Sequence, residues 1–173
     1  YVSHDIGEVA RLADRIIQIS AGRAVASGPV GDMLARLGVD AGVEPFEASA
    51  LLTGRVVAHD ARYRLTRLDC GGAQLTLPET DLAIGETVRV RVRARDVALA
   101  TIRPEGVSIR NVLPADVIAV SAPDDAAQAE VTLAAAGAQI RARITREAMA
   151  ELAIAPGAKV FALVKSVSFD GRA

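Results

Sequence analysis

Val88-Arg89-Val90-Arg91-Val92-Arg93-Ala94-Arg95 alternates apolar and basic residues without a break. Because successive side chains of a β-strand point to opposite faces, this stretch predicts a strand with one buried face and one charged face. Short strands between regularly spaced turns are typical of small β-barrels. Turn signals recur on both sides of the stretch, at Gly71-Gly72, Pro78, Gly85, Pro104, Gly106, Asp124-Asp125, Gly137 and Pro156-Gly157.

An internal repeat indicates two such barrels in tandem. Gly72-Ala73-Gln74-Leu75 matches Gly137-Ala138-Gln139-Ile140, and Leu82-Ala83-Ile84 matches Leu152-Ala153-Ile154. Each copy of the second match is followed by a glycine and then by a valine-containing strand pattern. Only the second copy has room for a helix, which we expect from Thr145 to Leu152. The repeat predicts one barrel over residues 54–106 and a related one over residues 107–173.

The first part of the chain has an α/β pattern instead. Residues 15–20 and 23–27 form short apolar runs around Ala21-Gly22, and Gly28-Pro29 precedes a short helix that ends near Leu37. Residues 38–53 have no hydrophobic period, so we expect a linker there. The sequence therefore predicts a mainly β protein in which an α/β segment, residues 1–37, precedes the two barrels.

The composition excludes several classes of protein. A chain of 173 residues that is 51% apolar, with net charge −1, is not disordered. No apolar run reaches the roughly 18–20 residues that a membrane helix needs. The single cysteine, Cys70, excludes an internal disulfide and a cysteine-based zinc site. With no leader-like N-terminus, these features point to the cytoplasm. Because the chain opens at Tyr1 without an initiator methionine, we expect it to be part of a larger protein.

His4 is the first candidate for chemistry. It follows an apolar stub and precedes a predicted helix N-terminus, where open α/β sheets place ligand sites, although a half-exposed loop histidine is the simpler alternative. Tyr1-Val2-Ser3-His4-Asp5, together with Leu12-Ala13-Asp14-Arg15 and the run from Gly22 to Gly28, resembles the end of an ABC-transporter ATP-binding domain. The resemblance implies that His4 is the switch-loop histidine, which contacts the γ-phosphate of ATP and helps to place the attacking water.

The phosphate-binding loop of that family is absent from the sequence. No G-x-x-x-x-G-K-[ST] motif occurs in residues 1–173, and neither do the signature helix and the magnesium-binding acidic strand of the family. We therefore expect this chain to be catalytically inactive alone. The ATPase activity, with ATP and Mg²⁺ as cofactors, is expected of the complete parent protein.

A second candidate group lies in the second barrel and combines hydroxyl and cationic donors. Several N–H and O–H donors with one or two cations suit a tetrahedral dianion. The alternative is that Thr145 only caps its helix, that Arg110 and Lys165 are solvated and that Ser108 belongs to a turn. The residues of this group are Ser108, Ile109, Arg110, Thr145, Lys165 and Ser166.

The sequence around these donors resembles the molybdate-binding barrel of the mop or TOBE type, which is OB-like. The resemblance rests on Ser108-Ile109-Arg110-Asn111, Arg143-Ile144-Thr145 and Val164-Lys165-Ser166. It implies that all six residues contact molybdate or tungstate through the oxygens of the anion, with no side chain bound to the metal. Residues 54–100 resemble a diverged first copy, which has Arg93-Ala94 where the second has Lys165-Ser166. The sequence therefore leaves open whether the first barrel has an anion site.

Together, the two resemblances point to the ATP-binding subunits of bacterial molybdate ABC importers. They imply a homodimer of ATPase subunits bound to integral-membrane permease subunits at the cytoplasmic face of the bacterial inner membrane. The barrels would bind molybdate and regulate transport. The alternative is a TOBE-type docking and dimerisation module of an importer for another solute, without oxyanion binding. A stand-alone anion-storage barrel is a weaker third possibility, because residues 1–37 would have no purpose in it.

Two further features have simpler interpretations. The arginine stripe at residues 89–95 could follow nucleic acid, since OB-type barrels bind single strands. Such proteins stack bases on aromatic side chains, whereas this chain has no Trp, two Tyr and three Phe. We therefore expect no nucleic-acid partner, and we interpret the stripe as an exterior barrel face or a contact to a partner subunit. His59 lies at a strand end with no visible partner.

Overall fold

The computed structural model describes residues 1–3, 8–9, 12–36, 49–165 and 167–172. Two helices are described from end to end, α1 (Val30–Arg36) and α2 (Arg146–Glu151). A single 3-10 turn covers Ala94–Asp96. The strands are β1 (Arg15–Ser20), β2 (Arg23–Pro29), β3 (Ser49–Asp60), β4 (Leu65–Cys70), β5 (Ala73–Pro78), β6 (Thr87–Arg93), β7 (Val97–Ala100), β8 (Asn111–Ser121), β9 (Gln128–Ala135), β10 (Ala138–Thr145), β11 (Lys159–Val164) and β12 (Ser168–Arg172).

The N-terminal unit is an antiparallel hairpin followed directly by a helix. β1 and β2 meet at Ala21 and Gly22, whose φ angles of 48° and 75° are those of a tight type I′ hairpin turn. Helix α1 follows β2 and buries Met33, which is 1% exposed and packs on Gly28. The two strands and the short helix predicted for this segment are confirmed. None of the described helices has the length and apolar character to cross a membrane.

The rest of the described chain forms two five-stranded antiparallel sheets with the same internal order. In the first sheet the order is β12-β6-β3-β4-β5, and in the second it is β10-β9-β8-β11-β7. Both long strands carry a bulge at the equivalent place, between Val56 and Ala58 in β3 and between Val117 and Ala119 in β8. The sequence repeat is therefore a structural repeat. The expected fold class, tandem OB-like barrels after an α/β segment, is confirmed.

Each sheet takes one edge strand from the other half of the chain. β7 follows β6 in sequence but pairs with β11, with Val97 opposite Val164. β12 follows β11 but pairs with β6, with Ser168 opposite Arg91. The 3-10 turn diverts the chain between the sheets, so the strand predicted over residues 88–95 ends at Arg93. A regular alternation of residues carries no signal for such a departure, because Ala94 is still buried.

The expected linker over residues 38–53 is shorter than its composition suggested. β3 begins at Ser49, and both Ser49 and Ala50 are 3% exposed. Residues 49–53 therefore belong to a strand, and the expectation of a linker there was wrong. Small and polar residues at buried positions removed the alternating pattern that would have marked the strand. The remaining residues of the expected linker, 38–48, lie outside the described part of the chain.

One apolar core runs through both barrels. Buried aliphatic side chains of the first sheet, such as Leu52 and Leu68, belong to the same contiguous cluster as Leu133 and Ile140 of the second. The equivalent hairpin turns also meet, since a Cβ on Gly71 would lie 3.4 Å from the carbonyl oxygen of Ala136. Because these surfaces are shared, the placement of one barrel constrains the other.

Candidate functional site

The segment Ser108–Arg110 and Lys165 lie side by side at one end of the second sheet. Asn111, the first residue of β8, pairs with Val164, the last residue of β11. The residues just beyond this pair on the two adjacent strands are Arg110 and Lys165, which are therefore neighbours. The Lys165 backbone N–H donates to the carbonyl oxygen of Asp96 at 2.8 Å, which fixes this position against the 3-10 turn. The fold thus brings together two of the predicted anion contacts that are far apart in sequence.

The side chains at this end of the sheet are available to a ligand. Ser108, Arg110 and Lys165 are exposed, and Ile109 is half-buried. Within the described residues, neither Arg110 nor Lys165 forms an ion pair. Two adjacent cations repel each other, and an anion between them relieves that repulsion while accepting charge-assisted hydrogen bonds.

Thr145 lies elsewhere in the same sheet. It is the N-cap of α2, and its hydroxyl oxygen accepts a hydrogen bond from the Ala148 N–H at 3.1 Å. It pairs with Gln128 of β9, just beyond the residues that oppose the end of β8 at Ser121. The register therefore places Thr145 towards the end of β8, whereas Arg110 precedes the start. The two remaining predicted site residues, His4 and Ser166, lie outside the described residues.

Asn111 has a role that the sequence did not reveal. Its side chain is 6% exposed and reaches the backbone of Thr76 on β5, in the other barrel. Its Oδ1 accepts from the Thr76 N–H at 2.6 Å, and its Nδ2 donates to the Thr76 carbonyl oxygen at 2.9 Å. The only signal in the sequence was a carboxamide at the first position of an apolar strand, next to the predicted anion contacts.

The first barrel has a different set of residues at the equivalent place. Ser49 pairs with Arg93 there, in the register positions that Arg110 and Lys165 occupy in the second barrel. Ser49 is buried and Arg93 is half-buried, so this position offers one arginine and no second cation. The difference weakens the case for an equivalent anion site in the first barrel.

His59 belongs to a hydrogen-bonded group in the first barrel, so the expectation that it has no partner was wrong. Its Nε2 lies 2.8 Å from the carbonyl oxygen of Leu82, which can only accept, so Nε2 carries the proton. Its unprotonated Nδ1 accepts from the Thr66 hydroxyl at 3.1 Å, and the oxygen of that hydroxyl accepts from the Thr80 N–H at 3.1 Å. This group connects β3 and β4 to the turn after β5, and both ring nitrogens of His59 have hydrogen-bond partners in it.

One arginine of the stripe contacts the N-terminal unit. Arg89 forms an ion pair with Asp14 at 3.2 Å. A cavity of about 910 Å³ lies between α1 and both barrels, and its lining includes Asp32, Leu51 of β3 and Arg141 of β10. A contact within the chain therefore accounts for at least one arginine of the stripe.

Neither a metal centre nor a reactive thiol is evident in the described residues. No three His, Cys, Asp or Glu side chains among them are close enough together to hold a metal ion. Burial and, to a lesser extent, the Asp69 carboxylate together raise the pKa of the Cys70 thiol from 9.0 to about 11. A thiol that stays protonated is a poor nucleophile, so Cys70 is a core residue.

The fold and the donor-rich end of the second sheet define a class of protein. Residues 107–169 match the TOBE domain. A solved structure of the cytoplasmic molybdate-binding protein ModG, with molybdate bound, has a TM-score of 0.61 and 32% sequence identity. That likeness covers 69% of this chain and 93% of ModG. The second barrel is thus a TOBE barrel within a ModG-like fold.

Longer relatives identify the family. The molybdenum import ATP-binding protein ModC of Brucella abortus is 45% identical over 170 residues, covering 98% of this chain and 46% of the relative. ModC of Aromatoleum aromaticum is 44% identical over 172 residues, covering 97% of this chain and 44% of the relative. The chain belongs to the family of molybdenum import ATP-binding proteins. It spans about half the length of the relatives it matches, in their C-terminal part.

Proposed function

We propose that the second barrel binds molybdate or tungstate and thereby regulates an ATP-driven molybdate importer of which this chain forms a part. The observation that carries the proposal is the juxtaposition of Arg110 with Lys165 at the adjoining ends of β8 and β11. Family membership supports the import function, and the molybdate bound to ModG supports the ligand.

The anion would be held entirely through its oxygens. Arg110 and Lys165 supply positive charge, Ser108 and Ser166 supply hydroxyl donors, and the backbone of Ile109 assists. Hydrogen bonds to charged groups contribute about 1.5–3 kcal/mol each. Binding requires no protein ligand on the metal. Because the site consists of hydrogen-bond donors, it selects a fully deprotonated tetrahedral dianion, whose oxygens all accept.

In this proposal, the Thr145 that contacts the anion belongs to a second copy of the chain. Its hydroxyl oxygen already accepts from the Ala148 N–H, which leaves the hydroxyl proton free to donate to an anion. The sheet register keeps Thr145 apart from Arg110 within its own barrel. In a homodimer, Thr145 of one copy would reach the anion held by the other copy.

The ATPase functions belong to the complete protein. There, ATP and Mg²⁺ bind mainly to residues outside this chain, His4 contributes as the switch-loop histidine, and the permease subunits hold the ATPase dimer at the cytoplasmic face of the inner membrane. The present chain alone would not hydrolyse ATP. Anion binding regulates transport if it favours one arrangement of the two ATPase subunits over the other.

Calorimetric titration of this chain with molybdate and tungstate tests the binding site. Arg110→Ala and Lys165→Ala should each weaken binding by about 10- to 150-fold, because each removes a charge-assisted bond. Arg62→Ala is the matched control, since Arg62 is an exposed arginine stacked over Tyr63 in the other barrel. Unchanged affinity in both site variants would refute the proposal and favour a docking module without an anion.

A further inference from the structure

The contact between Asn111 and Thr76 links the predicted anion segment to the other barrel. Asn111 directly follows Ser108–Arg110, and its carboxamide forms two hydrogen bonds to the backbone of one residue of β5. The backbone N–H of Thr76 can only donate and its carbonyl oxygen can only accept, so the orientation of the amide is determined.

The contact uses the free edge of a sheet. β5 is the last strand of the first sheet, so one side of its backbone has no neighbouring strand within that sheet. The Asn111 side chain satisfies one N–H and one C=O of that edge in the way that another strand would. Since Asn111 is nearly fully buried, losing either bond would leave a buried polar group unpaired.

The contact occurs on one side of the repeat only. Ala50 pairs with Val92 in β3 and β6 as Asn111 pairs with Val164 in β8 and β11. Alanine has no side-chain amide, so the first barrel cannot make the reciprocal bonds. The carboxamide is present in the copy that also carries the exposed pair of cations.

We propose that Asn111 is a positioning residue that holds the Ser108–Arg110 segment against β5 of the other barrel, so that anion binding depends on how the two barrels are placed. This inference rests on the proposed oxyanion-binding function. Asn111 does not touch the anion in this scheme. It fixes the direction in which Arg110 leaves the start of β8.

Two reciprocal variants test the inference from opposite barrels. Asn111→Ala removes the side-chain amide. Thr76→Pro removes the backbone N–H that donates to Asn111, and proline is tolerated there because β5 is an edge strand. Each should weaken molybdate binding, measured by calorimetry, by about tenfold, because a positioned donor becomes mobile. The double variant should lose less than the product of the two single losses, since both remove the same contact.

Thr66→Val serves as the matched structural control. Thr66 is fully buried and hydrogen-bonded in the first barrel, so its loss lowers the melting temperature without touching the contact. We expect its molybdate affinity to stay within about twofold of the original. Wild-type affinity in Asn111→Ala, or an equal loss in Thr66→Val, would overturn the positioning role alone. Absence of molybdate binding in the unmodified chain would overturn the proposed function as well.

Discussion

Replacing Gly54 with alanine should destabilise the first barrel measurably. Gly54 lies in β3, and a Cβ there would approach the Cys70 sulfur to 2.7 Å and the Leu68 Cβ to 3.1 Å. Ordinary contacts between such atoms are about 3.5–4.0 Å, so the sulfur must move by roughly 1 Å. Cys70 and Leu68 are both 0% exposed, which leaves neither side chain open space. Overpacking of this kind costs about 1–3 kcal/mol.

Urea denaturation followed by circular dichroism measures this loss. For a protein of this size, about 1–3 kcal/mol also corresponds to a melting temperature lower by roughly 2–12 °C. In a Cys70→Ala background the closest contact is gone, so Gly54→Ala should cost less there, with a coupling energy of at least about 0.5 kcal/mol. The remaining cost comes from Leu68.

Gly31→Ala is the control for the glycine substitution itself. Gly31 lies in α1, and a Cβ there would meet nothing within 4 Å. Alanine favours helices over glycine by up to about 1 kcal/mol, so this variant should be neutral or more stable. If Gly54→Ala were as stable as the unmodified chain, the deduced packing of β3 against β4 would be incorrect.

Three further substitutions have expected outcomes of different sizes. Thr145→Ala should cost about 0.5–2 kcal/mol in urea denaturation, because α2 loses its cap, whereas Thr145→Ser should keep most of it. Burial raises the pKa of Cys70 from 9.0 to about 11, so stability should fall as the pH rises from 9 to 11, and Cys70→Ala should remove that part of the decline in thermal scans. Arg89→Ala should lower the free energy of unfolding by less than about 1 kcal/mol, because its partner Asp14 is largely exposed. A larger loss would contradict a solvent-screened ion pair.

The sequence predicted those elements whose local pattern agrees with the final packing. The alternation from Val88 to Arg93 became β6, because each valine is buried and each arginine lies half-buried on the opposite face. The capped helix after Thr145 was equally predictable, since an N-cap hydroxyl acts within three residues of itself. The repeated glycine turns marked both hairpins, because positive φ angles favour glycine.

The sequence did not predict relations between distant segments. The exchange of β7 and β12 between the sheets leaves no periodic signal, since a strand has the same alternation whichever neighbour it joins. The partners of His59 and Asn111 were missed for the same reason, because Leu82 and Thr76 contribute backbone atoms that almost any residue type, proline excepted, would provide.

The geometry of the candidate site was only partly predictable. The sequence named candidate donors, and the register places two of them, Arg110 and Lys165, next to each other. It gave no indication that Thr145 lies towards the other end of β8, because the order of strands in the sheet decides that separation.

A crystal of this chain soaked in tungstate would show where the oxyanion binds, because tungsten gives strong anomalous scattering. We expect an anomalous peak beside the Arg110 and Lys165 side chains, at the adjoining ends of β8 and β11. The peak should be absent in crystals of Arg110→Ala grown in the same form. An anomalous peak only at other surfaces, or none at all with the protein fully folded, would contradict oxyanion binding at this end of the second barrel.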